Sequence, residues 1–281
     1  MNLHIRHLTV KTLVAAAAVA SVSLIAAGPA AARTGTTPTL LYDYNFAGTT
    51  GTVQNSAPGG PSVPLTLTGS WSSVTNGVHF AGNLTGKESV AAGKPASGDT
   101  LAEPASAAVG FGAVFEYNAP ASGQCFTDTP NLTQIGRYGK HSAQAKLQLT
   151  SCSTSITQVM VECRFAGAKA APANDEVVST VPLVNKAEYN VNCVKSPDHT
   201  TGTTVTLNVT TVSTGKTVTT TATEPAMGKM RTAEYISVAN KYPLPKPAAN
   251  TSQFVGNMYK TAYCAGKQSQ VTSCLSASLT S

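Results

Sequence analysis

Alternation of apolar and polar side chains runs through residues 109–194, and this feature restricts the fold more than any other. Several segments carry an apolar residue at every second position, with polar or small residues between. Successive side chains of a β-strand point to opposite faces, so the pattern predicts strands with one packed face and one wet face. The apolar positions in the four clearest segments are Val109, Phe111, Ala113, Phe115 and Tyr117; Leu147 and Leu149; Val159, Val161, Cys163 and Phe165; and Tyr189, Val191 and Cys193.

Similar segments, separated by turns rich in Gly and Pro, bring the total to about twelve strands between residues 40 and 263, with few or no helices. The cleanest, TTVTLNVTT at 203–211, is joined to 216–223 by a Ser-Thr-Gly turn and predicts a hairpin. The connection at 83–105 is predicted to be a long loop. A second long connection at 167–188 contains a possible edge strand at 177–184, blunted by Pro182, and a short tail follows residue 263. The chain is therefore predicted to be all-β, an antiparallel two-sheet β-sandwich of the jelly-roll type.

Residues 1–32 have the composition of a secretory signal. Arg6 and Lys11 precede a small-residue apolar stretch at 12–27, and three alanines at 30–32 end it with an A-x-A cleavage site. We predict a cleaved signal peptide at 1–32, a flexible lead at 33–39, and a single sandwich domain at 40–281 that is secreted and extracellular. No later apolar run is long enough to span a membrane.

Six cysteines occur, an even number that behind an export signal predicts disulfides. We favour consecutive pairing, the simplest outcome for a meander of neighbouring strands. Cys163 and Cys193 both fall on packed faces, as a pair bridging neighbouring strands would. The absence of C-x-x-C from the sequence argues against a zinc site. The predicted pairs are Cys125–Cys152, Cys163–Cys193 and Cys264–Cys274.

Charge argues against a nucleic-acid partner. Removing Arg6 and Lys11 with the signal leaves 17 basic residues against 13 acidic ones, a net charge of +4. The basic residues are scattered, and no basic cluster with interleaved aromatics occurs, as a nucleic-acid surface would require.

Six short motifs occur in an order typical of one group of jelly rolls. They are LLYDYNF at 40–46, VHFAGN at 78–83, TQIGRYG at 133–139, VECRFAG at 161–167, SVANK at 237–241 and QFVGNMY at 253–259. Over 40–263 the chain resembles the laminin-G-like and concanavalin-A-like lectin and glucanase domains of secreted bacterial proteins of the actinobacterial type. The resemblance implies an extracellular polysaccharide or glycan as the ligand, an inference from fold alone.

The resemblance also concerns calcium. Members that hold calcium near the closing strand often have Asp after F-x-G-x-aliphatic, and this chain has Tyr259 in that position. We predict no cofactor and no metal. A structural calcium held by Asp43 and backbone carbonyls stays an open alternative, since calcium prefers oxygen ligands.

Motifs of catalysis are missing from the sequence. Neither the E-x-D-x-x-E of laminarinase-like relatives nor G-x-S-x-G or H-E-x-x-H occurs. Four acids on or beside strands are predicted to be isolated carboxylates: Glu116, Glu162, Glu188 and Glu234. Glu162 and Arg164 are predicted to form a surface ion pair. We favour a non-catalytic module, leaving open a carbohydrate-active enzyme, hydrolase or lyase, with an atypical site.

The predicted ligand-binding residues combine polar groups on the wet faces of the central strands with Arg137 and an aromatic platform, Tyr138, in a Gly-bounded turn at the rim. Amides and charged groups on a rigid sheet match sugar hydroxyls, and an aromatic ring covers the apolar face of a pyranose. Any soluble sheet shows similar groups to water, so an adhesive or structural domain with a cell-surface protein as partner is a further alternative. The residues are Arg137, Tyr138, Lys146, Gln148, Arg164, Asn190 and Asn192; Tyr242, Tyr259 and Trp71 are the other aromatic candidates.

Overall fold

Strands make up nearly all of the regular structure. The computed structural model describes residues 39–81, 88–94, 107–119, 129–139, 142–150, 158–166, 175–228, 235–241 and 252–280. These residues contain sixteen strands and one helix. In chain order they are β1 Thr39–Asn45, β2 Thr52–Val53, β3 Leu65–Thr68, β4 Trp71–Val74, β5 Gly77–Phe80, β6 Val90–Gly93, β7 Ala108–Tyr117, β8 Asn131–Gly139, β9 Ser142–Leu149, β10 Val161–Ala166, β11 Asp175–Val178, β12 Glu188–Lys195, β13 Thr203–Thr211, β14 Lys216–Glu224, β15 Ile236–Val238, β16 Gly256–Gly266 and α1 Gln268–Thr280.

The strands form two sheets. The first has the order β14-β13-β12-β7-β16-β5-β4, and the second β11-β10-β9-β8-β15-β6-β3-β2. In the first sheet, β16 is long enough to pair on one side with β5 through 256–258 and with β1 through 260–265. Every strand pairing among the described residues is antiparallel. The predicted all-β antiparallel sandwich is confirmed.

The core lies between the two inner faces. Val109, Phe111, Ala113, Phe115 and Tyr117, predicted to share a packed face, are all buried. The ring of Phe111 meets that of Phe165, from the second sheet, edge to face at a centroid distance of 5.2 Å. Such aromatic contacts contribute about 0.5–1.5 kcal/mol beyond area burial, so they help fix how the layers face each other.

A disulfide crosses this core. Cys163 of β10 in the second sheet is bonded to Cys193 of β12 in the first, with Cα atoms 6.3 Å apart. The predicted pairing is confirmed, but the prediction that it joins neighbouring strands is wrong. Inward-facing residues of a sandwich oppose the other sheet, so a buried pair is able to bridge the layers. The predicted pair Cys125–Cys152 lies outside the described residues.

The last element is a helix, where the sequence predicted only a short tail. Val271, Leu275 and Leu279 recur every four residues of α1 and are buried against the outer face of the first sheet. Gly110 and Gly112 of β7 make room for them: a Cβ on Gly110 would lie 2.7 Å from Leu275 Cδ1, and one on Gly112 2.6 Å from Leu279 Cδ1. The Cys264–Cys274 disulfide, predicted correctly, ties the helix to β16.

Three short strands were also missed. β2, β4 and β6 contain two to four residues each, too few for alternation to be read from the sequence. β6 lies inside the 83–105 connection, which was predicted to be a long loop. The described residues all belong to one compact unit, and cleavage after residue 32 stays a prediction. Among the described residues, no helix is long and apolar enough to cross a membrane.

Candidate functional site

A row of polar side chains crosses the outer face of the first sheet. Antiparallel register places Ser72 beside His79, His79 beside Asn257, Asn257 beside Glu116, and Glu116 beside Glu188. Residues opposite each other on neighbouring strands have Cβ atoms about 5 Å apart. His79 Nδ1 lies 2.8 Å from Asn257 Oδ1. Residues far apart in sequence thus form one polar strip across five strands.

Tyr259 is brought to this strip by a β-bulge. Met258 of β16 opposes Phe115, but Lys260 opposes Val114, so Tyr259 is an extra residue on its strand. Bulges redirect side chains. The ring of Tyr259 packs on Gly77, where an added Cβ would lie 2.6 Å from ring atom Cδ1. Its hydroxyl donates to Glu116 Oε2 at 3.5 Å, a long hydrogen bond that directs the ring toward the strip.

A cavity of about 500 Å³ opens beside the ring; we call it the Tyr259 pocket. Ligand pockets usually measure about 300–1,000 Å³. Its lining combines the aromatic ring with amide, carboxylate, ammonium and aliphatic groups and includes the end of α1. The lining residues are Asn45, Ala47, Thr75, Asn76, Val114, Glu188, Tyr259, Lys260, Leu279 and Thr280.

Two carboxylates meet at one side of this pocket. Glu188 lines it, and Glu116 is directly opposite on β7. Burial, and then the negative charge of Glu116, raise the pKa of Glu188. Lys186 Nζ is 3.8 Å from Glu116 Oε1 but largely exposed, so this ion pair offsets the repulsion only weakly. Burial also raises the pKa of Tyr259.

A second polar group lies on the outer face of the second sheet. We call it the β9–β10 cluster: Gln148 pairs with Glu162, Lys146 with Arg164, and Arg164 with Glu176 in register across β9, β10 and β11. Gln148 Nε2 donates to Glu162 Oε1 at 2.5 Å. Arg164 reaches Glu162 at 3.3 Å and Glu176 at 3.1 Å. One guanidinium therefore holds two carboxylates.

Glu162 is nearly inaccessible, with 3 % of its surface exposed. Burial raises its pKa to about 7, and the charge of Glu176 adds to the rise. Arg164, the hydrogen bond from Gln148, and Lys146 act in the opposite direction. The predicted Glu162–Arg164 ion pair is confirmed, but it is not the surface pair that the sequence indicated.

The predicted ligand-binding residues do not form one site. Lys146 and Gln148 are buried, so the solvent-facing position predicted for them is wrong; their polar partners are on neighbouring strands of the same face. Asn190 and Asn192 lie on the outer face of the other sheet, because the two outer faces of a sandwich point away from each other. The side chains of Arg137 and Tyr138, and Tyr242, lie outside the description. Binding of a ligand by these residues stays a prediction.

The aromatic side chains predicted to contact a sugar lie in different places. Tyr259 lines the pocket, whereas Trp71 packs partly against the core and is not among the lining residues. The pocket could not be predicted from the sequence, because Glu116, Glu188 and Tyr259 come together only through the strand order and the bulge. The described residues contain no group of three or more His, Cys, Asp or Glu side chains able to hold a metal. The calcium alternative stays untested.

No model of a protein family and no curated protein matches the sequence. Solved structures do match the fold. The binding domain of botulinum neurotoxin serotype C1 is 8 % identical, with a TM-score of 0.52 over 85 % of this chain and 52 % of that chain. The chain shares its fold. The match spans about half of that toxin domain.

Two further structures are similar to the chain, with lower scores. A basic winged bean lectin, solved with Tn-antigen, is 11 % identical, with a TM-score of 0.47 over 80 % of this chain and 97 % of that one. An alginate lyase from Aplysia kurodai is 11 % identical, with a TM-score of 0.43 over 82 % and 99 %. At these identities the comparisons concern fold alone.

Proposed function

We propose that the chain is a secreted, non-catalytic module that binds an extracellular polysaccharide or glycan in the Tyr259 pocket. One observation carries this proposal: the cavity brings an aromatic ring together with amide, carboxylate and ammonium groups. Secretion is supported by the signal-like N-terminus and by two disulfides, which persist mainly in oxidising compartments.

The chemistry of the lining suits a sugar. A tyrosine ring covers the apolar C–H face of a pyranose, while amide and charged groups pair with its hydroxyls. The amides come from Asn45 and Asn76, the ammonium from Lys260 and the carboxylate from Glu188. Packing on Gly77 already restricts the ring of Tyr259, so binding would cost little further side-chain entropy.

The test is depletion of the purified protein, with disulfides intact, by a panel of soluble and insoluble polysaccharides, with and without calcium. We expect depletion by at least one polymer, a loss of affinity of about tenfold or more in Tyr259→Ala, and a smaller loss in Tyr259→Phe, which keeps the ring. Thr272→Ala, on the exposed side of α1, is the control. Arg164→Ala tests the β9–β10 cluster: if it abolishes binding and Tyr259→Ala does not, the site is on the second sheet.

A second candidate function is cleavage of the bound sugar, and the Glu116–Glu188 pair favours it. Glycoside hydrolysis uses two carboxylates, one of which must stay protonated, and the raised pKa of Glu188 suits that role. The same incubations are scored for released reducing ends and for the ultraviolet absorbance of unsaturated lyase products. Product that disappears in Glu188→Gln would establish the enzyme, whereas depletion without product leaves the binding module.

A further inference from the structure

β14 forms one edge of the first sheet. It pairs with β13 in continuous register over all nine residues, from Lys216 to Glu224, and no strand pairs with its other side among the described residues. Proteins protect such edges with proline, bulges, very short strands or charges in the middle of the strand. β14 has none of these, since its two charges stand at its ends. The edge is therefore able to accept another strand.

The sequence of β14, KTVTTTATE, is complementary to itself when read antiparallel about Thr220. Lys216 then opposes Glu224, Thr217 opposes Thr223, Val218 opposes Ala222, and Thr219 opposes Thr221. Odd-numbered residues, all threonines, share the outer face, and even-numbered ones share the inner face opposite β13 residues such as Leu207. Moving the register by two residues breaks both charge pairs, and moving it by one places outer residues against inner ones.

The end charges are available for such pairing. Lys216 and Glu224 are eight residues apart on an extended strand, roughly 27 Å, so they cannot reach each other within one molecule. Neither makes an ion pair within the part of the chain that the structure describes. A second copy would supply the opposite charge to each.

We propose that two copies of this chain associate through antiparallel pairing of their β14 strands, about a two-fold axis normal to the sheet at Thr220. The contact is isologous, because one surface serves both copies, and this closes the assembly at two. The first sheets join into one continuous sheet, with two Lys216–Glu224 ion pairs at the ends of the seam. Strand pairing of this kind is a recurrent mode of recognition.

The dimer also has a consequence that rests on the proposed function. A two-fold axis normal to the sheet keeps both outer faces on the same side, so both Tyr259 pockets face one direction. A polymer with repeated sugars could then engage two pockets, and such bivalency raises avidity by about 10²–10⁴-fold when the geometry allows. Failure of sugar binding would leave the dimer itself unaffected.

The test is sedimentation velocity of the purified chain across a wide concentration range, on the wild type, Lys216→Glu, Glu224→Lys and the double swap. Each single swap places like charges opposite each other at both ends, so we expect the dimer dissociation constant to rise about tenfold or more. The double swap restores opposite charges, and the wild-type value should return. Thr221→Lys, a charge in the middle of the edge, should also weaken the dimer.

Ser276→Lys, on the exposed side of α1, is the matched control and should leave the dimer intact. Circular dichroism checks that every variant is folded. A wild type that is monomeric at every concentration would overturn the proposal, and so would a dimer that neither single swap weakens. A double swap no better than the single ones would show that the two charges do not face each other.

Discussion

The packing of α1 on the first sheet predicts that a side chain at Gly110 destabilises the fold. A methyl group there would lie 2.7 Å from both Leu275 Cδ1 and Val271 Cγ1, inside van der Waals contact. Gly110→Ala should therefore force the helix outward. Overpacking of this kind destabilises by about 1–3 kcal/mol. Leu275→Ala should cost about 2–5 kcal/mol, because Leu275 is completely buried and its loss leaves a cavity.

The double variant separates this packing from other causes. In Gly110→Ala/Leu275→Ala the new methyl group enters the space that Leu275 vacates, so the two costs should not add. Part of the contact with Val271 remains, and we therefore expect a coupling of at least about 1 kcal/mol. The measurement is urea unfolding with disulfides intact, followed by far-ultraviolet circular dichroism.

Leu65 supplies the control. It is buried on β3 in the core between the two sheets and is not among the residues packed around α1, so Gly110→Ala/Leu65→Ala should be additive to within about 0.5 kcal/mol. Additivity in the Gly110–Leu275 pair as well would refute the reasoning, because it would mean that the helix does not rest on that glycine.

Three further predictions concern the disulfides, pH and the bulge. Replacing Cys163 and Cys193 by alanine should cost about 3–4 kcal/mol in urea unfolding, and replacing Cys264 and Cys274 about 2.5–3, since the sequence separations are 30 and 10; the reverse order would contradict the loop-entropy account. Burial raises the pKa of Glu162 from 4.5 to about 7, so its protonated form stabilises the fold below pH 4.5 and that stabilisation is lost as pH rises through 7. Glu162→Gln should flatten the urea-unfolding profile between those pH values, and a slope equal to that of the wild type would exclude Glu162 as its cause. Gly77→Ala places a methyl group 2.6 Å from the Tyr259 ring and from the Met258 carbonyl oxygen, so polysaccharide affinity should fall by about tenfold; unchanged affinity would remove Tyr259 from the site.

The strands were readable from the sequence because each inner face meets a uniformly apolar core. In β13, Val205, Leu207 and Val209 are buried while Thr206 and Asn208 between them stay partly exposed, as alternation predicted. The helix was not readable in the same way. Its sequence, QSQVTSCLSASLT, is rich in Ser and Thr, which favour helices weakly, so docking on the sheet stabilises it rather than intrinsic propensity. The spacing of Val271, Leu275 and Leu279 was the available signal.

The site depends on information that alternation does not contain. Alternation assigns each residue to a face, but not to one of the two outer faces, so residues of β9, β10 and β12 were grouped although they lie on opposite sides of the sandwich. Strand order decides which residues become neighbours: β7 lies between β12 and β16, distant in sequence, and only this brings Glu116 beside both Glu188 and Asn257. The bulge at Tyr259 is a local change of register that no periodic pattern reveals.

β16 connects these features. One side of the strand pairs with β7, the other with β5 and β1, and its bulge carries Tyr259. Further along, Cys264 holds α1 by a disulfide, and Leu279 and Thr280 at the end of that helix close one side of the Tyr259 pocket. The helix is thus a wall of the pocket as well as a cover for the sheet. Substitutions under the helix, such as Gly110→Ala, should therefore change ligand affinity as well as stability, although Gly110 is not among the residues that line the cavity.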